Sequence, residues 1–313
     1  MASIRLIPPS DLPPELWSPT FTGGRLSPPA ALSGAYRAVL TRLGLSERVL
    51  EEGAAGAVGG ESKEETDKHF AERFSGSCGR TQLAVLDPKD DLGATSDTLV
   101  KAAAGGQLAV LDVPSGCGAG AATLLSVIAE LRRTGVVPRQ PLDVTIVGGD
   151  VSPRAGQVAG ELMSHLRPEL RRQGVFVRFV PVMGDILDAK STTALIERWA
   201  DEARRIGCTR RLVLIANCSG FMANKVNEAK ERLGEVFRRA ELEDAALVWV
   251  EPQTKKAGNM FKSMIKKLVG LASPPAGDVK DAGPLLSNAA CGHLLSEASE
   301  HEVRLALHRL HVR

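Results

Sequence analysis

Val110-Leu111-Asp112-Val113-Pro114-Ser115-Gly116-Cys117-Gly118-Ala119-Gly120 decides how this chain is read. An apolar run from Gln107 to Val113 ends in an acid, and the segment after it, Ala121 to Arg133, places Leu124, Leu125, Ile128 and Leu131 at helical spacing. The spacing predicts a buried strand, a glycine turn and a helix. Glycine is needed where φ turns positive or where a Cβ would strike a bound group, so Gly116, Gly118 and Gly120 point to close backbone approach to a ligand.

Working outward, the pattern alternates strand and helix with short joins, which predicts a doubly wound, mostly parallel sheet of the α/β class. The expected strands are Ala109 to Val113, Val144 to Val147, Val177 to Val182, Leu212 to Ala216 and Ala246 to Val250. Ser152-Pro153 and Ser191 are expected helix starts and Gly207 a helix end. A helix is expected from Lys225 to Ala240, and an alternating tail, Val303 to Val312, reads as a half-buried or edge strand that closes the sheet. Ahead of this region (107–313), residues 1–30 are rich in proline and glycine and read as an extended arm. Residues 31–106 read as an N-terminal helical cap, with helices over Ala30–Leu45 and Glu61–Phe74 around a flexible Gly53–Gly60 tip. Gln82-Leu-Ala-Val-Leu-Asp87 repeats Gln107–Asp112 letter for letter but lacks glycines behind it, and reads as a second strand-like segment without the loop.

Composition bounds the partners. A formal charge of +2 on 313 residues announces no global field for nucleic acid or membrane, and 43% hydrophobic residues suit a globular core. The five cysteines form no CxxC pair and the six histidines no HExxH spacing, so no metal and no disulfide framework are expected. Met1 to Pro14 lacks an apolar signal core and no run is long enough to span a membrane, so a soluble cytoplasmic protein is expected.

In a parallel sheet, ligands bind beyond the carboxyl ends of the strands. The residues there are the glycine loop, Gly148-Gly149-Asp150, Gly184-Asp185, Asn217-Cys218-Ser219-Gly220 and Glu251-Pro252. Over Gln107 to Pro252 the chain resembles the class I S-adenosylmethionine-dependent methyltransferases, whose acid-and-glycine motif is matched by Asp112-Val-Pro114-Ser115-Gly116-Cys117-Gly118, with Pro114 in place of a frequent glycine. The resemblance implies that the 112–118 loop holds the amino-acid moiety of S-adenosylmethionine. By the same likeness Asp150, beside Val151, takes the ribose hydroxyls, Asp185, beside Ile186, takes the adenine amine, and Asn217 is the candidate catalytic residue. Cys218-Ser219-Gly220 departs from the Pro-Pro-aromatic continuation of the amino-methylating branch. Cys117 has no identifiable base and reads as a packing residue rather than a nucleophile.

The chemistry of the residues agrees with the resemblance. A sulfonium cofactor is cationic, and carboxylates serve it better than the amides that a diphosphate requires. Gly116-Cys-Gly118-Ala-Gly120-Ala121 also satisfies G-x-G-x-x-A, which keeps an NAD-dependent oxidoreductase open, although its ribose acid belongs about 20 residues past the loop. A protein that binds the cofactor without catalysis, as an assembly or scaffold component, is the other alternative. Leu247-Val-Trp-Val-Glu251-Pro252-Gln253-Thr254 is similar to the strand-Glu-Pro-Gly-Thr segment of the methyltransferase-like family associated with the mitochondrial small ribosomal subunit, which implies RNA or a ribosomal particle as partner. Lys255 to Leu268 carries five lysines among Met260, Phe261, Met264 and Ile265; it reads first as a solvated amphipathic helix, with a basic face that could contact phosphates as the alternative.

Overall fold

The computed structural model describes residues 5–20, 23–47, 49, 62–218, 225–253 and 285–310. In chain order the strands are β1 (Trp17–Ser18), β2 (Arg25–Leu26), β3 (Gly106–Asp112), β4 (Leu142–Asp150), β5 (Val175–Met183), β6 (Arg210–Ala216), β7 (Ala246–Pro252), β8 (Leu285–His293) and β9 (Ser296–Leu310). The helices are α1 (Ala30–Leu43), α2 (Lys63–Leu86), α3 (Ala94–Ala102), α4 (Ala119–Arg133), α5 (Pro153–Arg172), α6 (Ala189–Arg205) and α7 (Val226–Leu242).

The strands form a mixed, mostly parallel sheet ordered β1-β2-β8-β9-β7-β6-β3-β4-β5. Strand alternation explains the layers, because successive side chains leave opposite faces. On β3, Leu108 and Val110 enter a core shared with α1, α2, α4 and α5, whereas Ala109 and Leu111 enter a second core under α6 and α7. β3 to β7 are parallel to one another, and the chain runs outward from β3 through β4 to β5 before returning to β6 on the other side. The connections leaving β3 and β6 therefore diverge, which opens a crevice at their carboxyl ends.

Local signals account for several boundaries. Ser152 accepts from the Ala155 amide with Pro153 at the first helical position, and Gly207 is left-handed just beyond α6. The cap of α6 is Asp188, which accepts from the Ser191 amide, so Ser191 lies inside the first turn rather than ahead of it.

Two strand expectations are corrected. Gln82–Leu86 is the last turn and a half of α2 and Asp87 its C-cap, not a strand, although the same six residues at Gln107–Asp112 make up most of β3. The helix begins at a capping box between Ser62 and Glu65 and has Phe70, Phe74 and Cys78 buried on one side, so the hexapeptide continues an established helix. The tail strand is not an edge. β9 lies between β7 and β8 and is antiparallel to both. Alternation specifies which face a strand buries and leaves its neighbours unspecified.

Residues ahead of β3 are joined to this sheet. β2 pairs with β8, Leu16 and Leu26 are fully buried, and Arg5 bonds Asp87 at 2.8 Å. α1 packs on α5, and α2 packs on α4 and β9. Among the described residues no helix is long and apolar enough to cross a membrane. Gly53–Gly60, Ser219, Gly220, Thr254 and the lysine-rich run from Lys255 to Leu268 lie outside the described residues.

Candidate functional site

The turn after β3 is folded by hydrogen bonds to its neighbours. The Ser115 amide donates to the Gly149 carbonyl at 2.8 Å, the Gly116 amide to Asp150 Oδ2 at 2.9 Å, and the Gly118 amide to the Ser115 carbonyl at 2.8 Å. In the first turn of α4 the Ala121 amide donates to Asp112 Oδ2 at 3.3 Å. Gly116 and Gly118 both have positive φ, +49° and +82°. Gly116 faces open space, whereas a Cβ on Gly120 would stand 2.8 Å from Leu214 Cδ2. One glycine thus leaves the cleft unobstructed, and another seats α4 against β6.

A cleft opens above this turn. Asp112, Asp150 and Asp185, from the ends of three strands, line it together with Pro114, Ser115, Gly116 and Cys117. Val151, Ile186 and Asn217 line it as well, while Gly118 lies behind it with its Cα side against Ala159. No lysine or arginine is among the described lining residues. Asp112 is almost fully buried, and burial, with the charge of Asp150 adding to it, pushes its carboxyl up to about 8. Its Oδ1 has no protein donor among the described residues. Asp150 is also raised by burial, against the pull of the Ser152 and Gly116 amides. Asp185 Oδ1 accepts from the Leu187 amide at 2.8 Å. Burial raises the Cys117 thiol far above the range of a reactive thiolate.

The opposite wall comes from α2, which the loop motif gave no reason to expect. His69, Phe70, Phe74 and Ser77 line the cleft. The helix is held there by the Tyr36 hydroxyl, which donates to the Ala71 carbonyl at 2.7 Å, and by Tyr36 stacked on Phe74. Nearer its start, Arg154 grips Asp67 through two nitrogens at 2.7 and 3.0 Å, and Thr66 bonds Ser152 at 2.8 Å. That pairing ties α2 to the turn carrying Asp150.

Asn217, at the end of β6, adopts a left-handed backbone (φ +58°), and its Oδ1 accepts from Arg80 Nε of α2. Burial lowers the Arg80 guanidinium to about 10, with Glu251 drawing it back up. Glu251 is fully buried at the end of β7, and its Oε1 accepts from the Cys218 amide at 2.8 Å and Trp249 Nε1 at 2.8 Å. Asn217 and Cys218 therefore sit on a buried polar network that crosses from α2 to β7. The helical spacing of Phe70, Phe74 and Ser77 was the available signal for this wall, but nothing in a helix pattern says which face of the sheet it covers.

No protein-family model matches this chain, and no curated protein matches it. Among the described residues no group of three or more His, Cys, Asp or Glu side chains could hold a metal ion.

Proposed function

We propose that this chain binds S-adenosylmethionine in the cleft and transfers its methyl group, as a protein of the class I methyltransferase kind. The observation that carries the reading is the gathering of Asp112, Asp150 and Asp185 around one cleft with no cationic side chain among its described lining. A cation suits that site. Asp112 Oδ1 lacks a protein donor in a place where an isolated carboxylate is costly, and a ligand ammonium or sulfonium would supply the missing partner.

The glycine turn argues against the dinucleotide alternative. The Gly116, Gly118 and Ala121 amides are engaged within the protein, two of them by carboxylates, so a diphosphate would meet acids rather than a cradle of free amides. The antiparallel β9 also stands where the dinucleotide order continues with a sixth parallel strand.

In this reading Asp112 and the 114–118 turn hold the amino-acid moiety, Asp150 accepts from the ribose hydroxyls, and Asp185 accepts from the adenine amine. Val151 and Ile186 supply apolar surface beside the base. S-adenosylmethionine, when bound, supplies a methyl group activated by its sulfonium. Asn217 is the candidate for orienting the acceptor, and Arg80 fixes which half of its amide is left for a ligand. RNA or a ribosomal particle is the acceptor suggested by the Leu247–Thr254 segment and the lysine-rich run after it. The five unpaired thiols fit a reducing cytoplasm.

The capture of Asn217 Oδ1 by Arg80 equally favours a second reading, a cofactor-binding assembly protein without turnover. Calorimetric titration with S-adenosylhomocysteine, S-adenosylmethionine and NAD tests the cofactor: the first two are expected to bind and NAD is not. NAD binding with no affinity for the nucleosides would overturn the assignment. Methyl transfer to RNA and protein fractions then separates enzyme from binder.

A further inference from the structure

Away from the carboxylates, the polar groups that line the cleft are held by protein partners through at least one atom, with His69 the exception. Asn217 Oδ1 is held by Arg80 Nε, Ser77 Oγ accepts from Arg80 Nη2 at 3.3 Å, and Cys218 Sγ bonds Glu251 at 3.0 Å. The three carboxylates lie along the opposite, strand-end side. His69 lines the cleft from α2, and neither ring nitrogen has a hydrogen-bond partner among the described residues.

We propose that His69 is the residue that receives the methyl acceptor, and that the acceptor group is an uncharged, weakly basic nitrogen on a planar ring or amide. This inference rests on the methyl-transfer reading and specifies the second substrate of the same cleft.

The surroundings of His69 select the chemistry. Its nearest charged influences, Arg73 and Arg80, are both cationic, and together with burial, which acts most strongly, they keep the imidazole neutral, with its proton affinity down at about 4. A neutral imidazole carries one lone pair that accepts from N–H or O–H. An ammonium would face an imidazole that stays uncharged and offers no countercharge. A hydroxyl must lose its proton before or during attack, which calls for a stronger base than this one. A conjugated N–H makes a lighter demand. Its nitrogen lone pair forms the new bond to the methyl carbon while the bond between that carbon and the sulfonium breaks, its electron pair passing to sulfur. The nitrogen then carries the positive charge, its N–H bond becomes strongly acidic, and the proton passes to the His69 lone pair and on to water. Phe70 and Phe74, which line the cleft beside His69, add apolar surface for a ring.

The test uses the full chain with ¹⁵N-labelled histidine. Cytosine, n-butylammonium and benzyl alcohol are titrated as probes, with and without S-adenosylhomocysteine, and the His69 ring nitrogens are followed by NMR. Cytosine is expected to shift them and to bind His69→Phe about tenfold more weakly, the loss of one neutral hydrogen bond. S-adenosylhomocysteine affinity is expected to be unchanged in His69→Phe, and His69→Gln, which keeps an acceptor, is expected to recover most of the cytosine binding. Equal cytosine binding to wild type and His69→Phe, preference for butylammonium or benzyl alcohol, or no binding of cytosine at all overturns the proposal. S-adenosylhomocysteine binding to the wild type, measured alone, reports separately on the cofactor reading.

Discussion

Single carboxylates carry the candidate site, and their protonation gives them distinct signatures. Asp112 binds protons more tightly when folded, at about 8 against 3.8 in the free side chain, so the native state holds the extra proton between those values. Stability attributable to this group therefore falls as pH rises from about 4 to 8. Asp112→Asn, which keeps the shape without the charge, is expected to raise the melting temperature of the free protein at pH 8 by at least about 2 °C and to weaken S-adenosylhomocysteine binding. Thermal scans and titration calorimetry check both, and an unchanged affinity would remove Asp112 from the site. Asp150 acts differently, because its two oxygens bind the Gly116 and Ser152 amides at 2.9 Å each. Asp150→Ala is expected to lose nucleoside affinity by at least about tenfold, since charge-assisted bonds contribute roughly 1.5–3 kcal/mol each. Circular dichroism that stays native in this variant would separate a binding loss from unfolding.

Among elements, α2 shows where sequence reading runs out. The strand-turn-helix around Asp112 was legible because its strand is apolar on both faces and its turn is dense in glycine. The helices that end at Gly207 and start at Ser152-Pro153 were legible from their punctuation. Gln82–Leu86 was not, because a hexapeptide that suits both states takes the state of its flanks. The Ser62–Glu65 capping box and the Phe70, Phe74, Cys78 spacing were the better guides. The Arg80–Asn217 contact could not be read at all, since it joins positions 137 apart in the chain. Two substitutions probe this element. Phe70→Ala is expected to cost about 3–5 kcal/mol, because a fully buried ring leaves a cavity beside Tyr36 and Phe74. Arg80→Met is expected to cost about 1–3 kcal/mol by leaving the Asn217 side-chain oxygen without its donor. Urea denaturation measures each, and a loss under about 1 kcal/mol for Arg80→Met would show that the guanidinium does little for the fold.

At the scale of the whole molecule, opposing titrations set a pH optimum for stability. His69 and His301 are held at about 4 by burial, below the free value of 6.5, so the unfolded chain binds their protons first and stability rises with pH through that window. Asp112 pulls the other way by one proton up to about 8. Among these three groups, two protons against one leave a net rise to pH 6.5 and a fall from there to about 8, and His293, also lowered by burial, adds to the rise. The melting temperature of the free protein is expected to peak near pH 6.5, and in Asp112→Asn the decline between pH 6.5 and 8 should disappear. The sheet order has a further consequence for how the chain is made. β7 ends at Pro252 and its antiparallel neighbour begins at Ser296, so a nascent chain carries β7 with a bare hydrogen-bonding rim while the intervening stretch leaves the ribosome. β1 and β2 wait still longer, because they reach the sheet only through β8. Synthesis halted between these points should yield a sticky, chaperone-bound species, and release of that species should coincide with emergence of the last strand.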